Sequence, residues 1–298
     1  MTKRELGQYY TTTNPFVGDA FALWNKQRPQ DVKLLEPFAG AGNLFSFIDG
    51  DWSGYDIEPH HPEVIQQDVL KDFPKGYSVA ITNPPYLAKN SAKRRNLPVI
   101  PKLADLYLDC LKVMLDNCGW VAAIIPSTFW TQKRFKNRLI AWDKIDYEVF
   151  SDTDNPVGVA YFGPKEYKPH YFVNGAKIEQ WNPENKEVLV FNVNYGNYVL
   201  NGIDAIEKEN IFIKPVDDSI SESWRKKYVK HTSRHHCLFY SNKELDCEKV
   251  NQYISEWRKN TSDFYLTSFM STMKSGKYRK RVRFGLLSQL ISEGNKRI

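Results

Sequence analysis

Between Val32 and Gly163, short apolar runs alternate with helix-like segments, and this alternation constrains the fold more than any other feature. Val32–Glu36, Trp52–Asp56, Val79–Thr82, Trp120–Ile125, Ile145–Phe150 and Val157–Phe162 read as strands. Asn43–Ile48 and Thr131–Trp142 read as helices. Leu103–Leu115 carries a helical stripe of Leu103, Leu106, Tyr107, Cys110, Leu111, Met114 and Leu115, stopped by Gly119. Strands that alternate with helices predict a mostly parallel sheet covered on both faces, an α/β fold.

The rhythm is lost after Gly163. Tyr171–Trp181 and Val188–Val199 look strand-rich, while Cys247–Lys259 and Val282–Ile291 look helical. A chain of 298 residues suggests two domains of ~150 residues each. The boundary is expected near Pro164–Lys168, giving domains 1–163 and 164–298. Ser221–Ile298 holds 17 Lys and Arg against 7 Asp and Glu, a net +10, leaving −4 for the first 220 residues of a chain at +6. A basic end on a mildly acidic body fits a polyanion-binding module joined to a catalytic one. A solvated basic face fits the charge alone equally well.

Other classes are excluded by composition. No apolar run reaches the ~18 residues of a membrane span. The charged N-terminus has no apolar stretch behind it, so a cytoplasmic protein is expected. Cys110, Cys118, Cys237 and Cys247 form no CxxC pair and no disulfide framework. His235-His236-Cys237 with Cys247 lacks the paired spacing of a zinc site, so no metal is expected.

Three motifs carry chemistry. Leu34-Leu35-Glu36-Pro37-Phe38-Ala39-Gly40-Ala41-Gly42-Asn43 is a strand ending in an acid and entering a glycine turn, at the edge where ligands of doubly wound sheets bind. It lacks the GK[ST] of a phosphate-binding loop. Asp56, about 20 residues on, stands where a carboxylate accepts from a ribose diol. Asp68 stands at the next strand end, placed to accept from an adenine amine. Three acids at successive strand ends point to an adenosine-containing ligand. Asn83-Pro84-Pro85-Tyr86 closes another strand. Its prolines offer carbonyls without N–H groups, Asn83 adds an acceptor, and Tyr86 offers a flat face for a base. Such acceptors can hold an exocyclic amine and aim its lone pair.

On these residues the chain resembles the gamma-class DNA adenine-N6 methyltransferases of bacterial restriction–modification systems. Leu6-Gly7-Gln8-Tyr9-Tyr10-Thr11-Thr12 is similar to that family's N-terminal motif, with Thr12 where proline is usual. The resemblance covers about residues 5–163 and implies a Rossmann-like S-adenosylmethionine-dependent fold with a C-terminal target-recognition domain. It implies S-adenosylmethionine as cofactor, S-adenosylhomocysteine as product, and transfer to a flipped adenine of double-stranded DNA. It places Tyr10 and Thr11 by the methionine end of the cofactor. Glu36, Pro37, Phe38, Ala39 and Gly40 would form the cofactor loop, with Asp56, Ile57, Asp68, Val69 and Asn83 completing that site. Asn83, Pro84, Pro85 and Tyr86 would be catalytic, and Phe150 would clamp the flipped base.

The segment Leu87–Lys102 has five cations and no acid, and reads as a mobile basic loop on the phosphate backbone. Lys89, Lys93, Arg94 and Arg95 are its expected DNA contacts. Lys274, Lys277, Arg279, Lys280, Arg281 and Arg283 are those of the C-terminal domain, after the aromatics Phe264, Tyr265 and Phe269. An RNA or protein-glutamine methyltransferase could use the same tetrapeptide; the N-terminal motif and long basic domain favour DNA. A monomer of bacterial or phage origin, associated with the nucleoid, is expected. Any cognate restriction endonuclease would act independently, since no nuclease constellation is present.

Overall fold

The computed structural model describes residues 9–151, 153–183, 190–193, 210–213, 237–241, 245–272 and 275–296. They fall into two compact units: residues up to Lys177 with Thr272–Tyr278, and Ile178–Ser271 with Arg279 onward.

The first unit is built on one sheet. Its strands are β1 (Leu34–Glu36), β2 (Trp52–Asp56), β3 (Val64–Gln66), β4 (Val79–Thr82), β5 (Trp120–Pro126), β6 (Leu139–Lys144), β7 (Val157–Phe162), β8 (His170–Val173) and β9 (Ala176–Lys177). They lie in the order β3-β2-β1-β4-β5-β7-β6-β8-β9. β1 to β5 are parallel, and β7 runs antiparallel between β5 and β6. β4, β5, β6 and β7 are buried on nearly every residue, because helices and connections cover both faces. This is a Rossmann-like α/β fold. The strand order reverses between β1 and β4, which opens a crevice at their carboxyl ends.

Helices α1 (Gly18–Asn25), α2 (Lys89–Arg94) and α3 (Leu106–Asn117) accompany the sheet. In α3, Asp105 caps the first turn by accepting from the Tyr107 N–H, and the apolar stripe read from the sequence is buried. In α1, Trp24 is fully buried and its indole N–H donates to the Phe162 carbonyl at 2.9 Å. The Arg138 guanidinium ties three element ends together, donating to the carbonyls of Leu115, Cys118, Gly119 and Gly163. Gly18 and Gly175 meet at φ of +73° and +80°, and a Cβ on Gly18 would lie 2.8 Å from the Gly175 Cα. The Gly175 N–H also donates to both carboxylate oxygens of Asp143, at 3.0 and 2.9 Å. Asp143 is fully buried in β6, and burial pushes its pKa up to about 7 against the pull of that N–H.

Several sequence expectations need correction. Asn43–Ile48 forms only a 3-10 turn, Asn43–Ser46. Thr131–Trp142 is not a helix: it holds the end of one 3-10 turn, another at Lys136–Arg138, and the start of β6. Leu139-Ile140-Ala141-Trp142 is apolar because the strand is buried on both faces. Ile145–Phe150 is correspondingly the connection after β6, not a strand, although Phe150 forms an isolated antiparallel bridge with Thr11. Leu87–Lys102 contains α2, so it is not simply a loop; Ala88 pairs with Asp105 and the Lys89 N–H donates to the Ala104 carbonyl.

In the second unit, β10 (Val190–Val193), β11 (Asn210–Ile213) and β12 (Cys237–Ser241) form an antiparallel sheet in the order β10-β12-β11. Helices α4 (Cys247–Thr261) and α5 (Phe284–Lys296) pack through Val250, Ile254, Trp257, Leu287, Leu290 and Ile291. Trp181, Trp257 and Tyr265 join this core with ring centroids 5.4–5.9 Å apart. A two-stranded ribbon, β13 (Thr267–Thr272) with β14 (Tyr278–Arg281), precedes α5. Most of Val188–Val199, together with Leu6–Gln8, His235, His236 and Lys274, lies outside the described residues. No helix among the described residues is long and apolar enough to cross a membrane.

Candidate active site

The crevice between the ends of β1 and β4 opens into a cleft of about 560 Å³. Its floor begins at the glycine turn. The Ala39 N–H donates to the Tyr55 carbonyl at 2.9 Å, tying the turn to β2. Gly40 stands at φ +50°, a left-handed conformation that favours glycine, and donates its N–H to Asp56 Oδ2 at 2.8 Å. Asp56 Oδ1 accepts from the Glu58 N–H at 2.8 Å. Burial raises the Asp56 carboxyl above its ordinary range, and these two N–H groups oppose that rise.

Glu36 is the more strained acid. It is 2% exposed, and burial, then the nearby Asp56 carboxylate, push its pKa well above the usual carboxylate range. Its Oε2 is buried with no hydrogen-bond partner. Such an orphan beside a cleft is poised for a ligand donor. Asp68 is more open: Oδ1 accepts from the Leu70 N–H at 3.2 Å and Lys71 lies 3.0 Å from Oδ2.

Asn83 follows β4 at the opposite wall. Its amide nitrogen donates to the Tyr9 carbonyl at 2.7 Å and to Thr11 Oγ1 at 3.2 Å. Its Oδ1 lies 2.5 Å from the Tyr86 hydroxyl, which is also 2.7 Å from the Ile124 carbonyl. Burial drives the Tyr86 phenol well above its ordinary pKa, so it remains protonated and donates. The Tyr9 ring lies against Tyr86 and Phe150, with centroids 5.7 and 5.9 Å away. Tyr86 and Phe150 are 8% and 1% exposed, so their faces are covered by neighbouring side chains.

The residues read from the sequence therefore divide. Tyr10, Thr11, Glu36, Phe38, Ala39, Gly40, Asp56, Ile57, Asp68, Val69, Asn83 and Pro85 line the cleft together. Pro37, Pro84, Tyr86 and Phe150 are buried behind its wall. Lys89 donates to the Lys102 carbonyl at 2.7 Å, while Lys93 and Arg94 are exposed on α2 and Arg95 is exposed just after it. Lys277, Arg279 and Arg283 are exposed, Lys280 is 2% exposed, and Arg281 is placed by its backbone in β14.

Sequence reasoning did not single out Tyr9, Asn43, His60, Gln67 or the stretch Leu97–Ile100, all at the cleft. Asn43 donates to the Thr11 carbonyl at 3.0 Å. The signal for the last group was present: Leu97-Pro98-Val99-Ile100 is apolar in an otherwise basic segment. Ile57, Leu70, Val99 and Ile100 are exposed by 37–56% and all line the cleft, giving it an apolar slot.

No family model and no curated protein matches this chain. Similar solved structures exist. A type I restriction-modification methyltransferase subunit from Streptococcus thermophilus is 15% identical over 59% of this chain and 49% of its own, with a TM-score of 0.40. The EcoKI M protein of a type I restriction enzyme is 14% identical over 97% of this chain and 70% of its own, also at 0.40. The type IIG restriction endonuclease BpuSI is 14% identical over 99% of this chain and 34% of its own, at 0.38. The chain thus spans about half the length of the Streptococcus subunit. At these values the fold rests on the sheet order of this chain itself.

Proposed function

We propose that the chain is a site-specific DNA adenine-N6 methyltransferase using S-adenosylmethionine. One observation carries the reading: the strand-order reversal sets the glycine turn, three acids and Asn83 around a single cleft. The residues present fit the cofactor. Asp56 has lone pairs left for a ribose diol, Glu36 Oε2 awaits a donor, and Ile57, Val69 and Leu70 supply an apolar wall for an adenine. When bound, S-adenosylmethionine supplies an electrophilic methyl group, and S-adenosylhomocysteine is its product.

The protein's own part is positioning. Asn83 Oδ1, with a backbone carbonyl of Pro84-Pro85, accepts both hydrogens of the target amine. That arrangement turns the nitrogen lone pair out of the purine ring and toward the cofactor side of the cleft. A base in duplex DNA must first be extruded, at a cost of a few kcal/mol. Stacking against Tyr86 and Phe150 offsets part of this cost once the Tyr9 ring gives way. Lys93 and Arg94 on α2 and Arg95 at its end supply phosphate contacts beside the site, and Lys277, Arg279 and Arg283 supply them in the C-terminal target-recognition part. Residues 1–163 hold the catalytic function in this reading and 164–298 the choice of sequence.

The test is methyl transfer from labelled S-adenosylmethionine to duplex DNA, with the product nucleoside identified by mass spectrometry. N6-methyladenine is the expected product. Label on RNA or on a glutamine-bearing protein, with none on DNA, would overturn the reading. In the same preparation, Asp56→Ala is expected to weaken cofactor binding by about 1.5–3 kcal/mol, the worth of a hydrogen bond to a charged group. An unchanged calorimetric affinity would remove Asp56 from the cofactor site.

A further inference from the structure

The Asn83 carboxamide has only one orientation that satisfies its surroundings. The Tyr9 carbonyl, 2.7 Å away, can accept but not donate, so the atom facing it must be the NH₂ nitrogen. The second amide hydrogen goes to Thr11 Oγ1 at 3.2 Å. Both hydrogens are then used, and Oδ1 is left facing the Tyr86 hydroxyl with a lone pair to spare. Reversing the amide would set oxygen against oxygen at the Tyr9 carbonyl.

The strand-like piece that delivers these partners is itself held at several points. Thr11 pairs with Phe150, its carbonyl accepts from Asn43, and the Thr12 N–H and hydroxyl donate to the Val149 carbonyl at 2.9 and 3.2 Å. Thr11 is 3% exposed, so its hydroxyl has little access to water as an alternative partner.

We propose that Thr11 is a positioning residue for methyl transfer: its hydroxyl, with the Tyr9 carbonyl, locks the Asn83 amide so that Oδ1 is presented to the target amine. This rests on the methyltransferase reading above. It gives the Thr11 side chain a task directed at the target amine, acting through Asn83, rather than at the cofactor.

Thr11→Val keeps the shape and removes the hydroxyl; Thr11→Ser keeps the hydroxyl. Single-turnover transfer to DNA and calorimetric cofactor binding are measured for both and for the unsubstituted protein. The expected result is a rate lower by roughly ten- to a hundredfold in T11V, the scale of a misplaced reacting group, at nearly unchanged cofactor affinity. T11S is expected to restore the rate to within about threefold, since one hydroxyl replaces another at the same donor. A T11V rate equal to the unsubstituted one, a loss confined to cofactor affinity, or a T11S as impaired as T11V overturns the proposal. Should T11V not fold, Thr11→Ala gives the same comparison without a bulky apolar group. If the unsubstituted protein itself transfers no methyl group to DNA, the functional reading fails and this proposal with it. That result is distinct from an active parent whose T11V is equally fast.

Discussion

Asn83→Ala is expected to lower single-turnover methyl transfer by roughly 10²–10³-fold, the usual cost of deleting one preorganised polar group at a reacting centre. The loss should fall on the rate far more than on the affinity for DNA or cofactor if, as proposed, the Asn83 oxygen acts on the target amine. Asn83→Asp should be nearly as slow. It sets a carboxylate oxygen opposite the Tyr9 carbonyl, where the amide now donates at 2.7 Å. Rapid-quench measurement with saturating cofactor reads both variants. Turnover of Asn83→Ala within tenfold of the unsubstituted protein would remove the amide from the chemistry.

The second large effect is on stability. Asp143 is buried, and its pKa of about 7 stands far above the ~3.9 of an unfolded aspartate. Between those values the folded protein binds a proton that the unfolded chain does not. Stability from this group is therefore greatest below pH ~4, falls as the pH rises, and reaches its lowest level above the folded pKa. The full swing is on the order of 4 kcal/mol. Asp143→Asn removes the ionisation while leaving an oxygen for the Gly175 N–H. Its melting midpoint should exceed that of the unsubstituted protein by a margin that widens from pH 5 to pH 8. A margin that stays constant with pH would mean that Asp143 does not titrate in this range.

The readings that succeeded and failed differ in how local their causes are. β1, β2, β4 and β5 were legible because parallel strands buried on both faces are short apolar runs bounded by turn residues. Glu36, Asp56 and Asn83 were legible for a related reason: each stands at the end of such a run, where a doubly wound sheet places its ligand. β6 was missed because a doubly buried strand and a buried helix have the same apolar content, so periodicity cannot separate them. The role of the segment around Thr11 depends on partners far along the chain, Phe150 and Asn83, and nothing in residues 9–13 announces them. The covered faces of Tyr86 and Phe150 are likewise a tertiary result, set by a ring from that same segment.

The contact between Gly18 and Gly175 governs how this chain can vary. Neither residue lines the cleft, yet each needs a left-handed backbone, and their main chains approach too closely for a side chain on either. Gly18 opens the helix that follows the Thr11 segment, and Gly175 is the partner of Asp143. Any side chain at either position would push the start of α1 away from the sheet edge and disturb the segment leading into it. In a library screened for methyl transfer, both positions would admit glycine alone, and invariance there would mark a packing requirement rather than a contact with substrate.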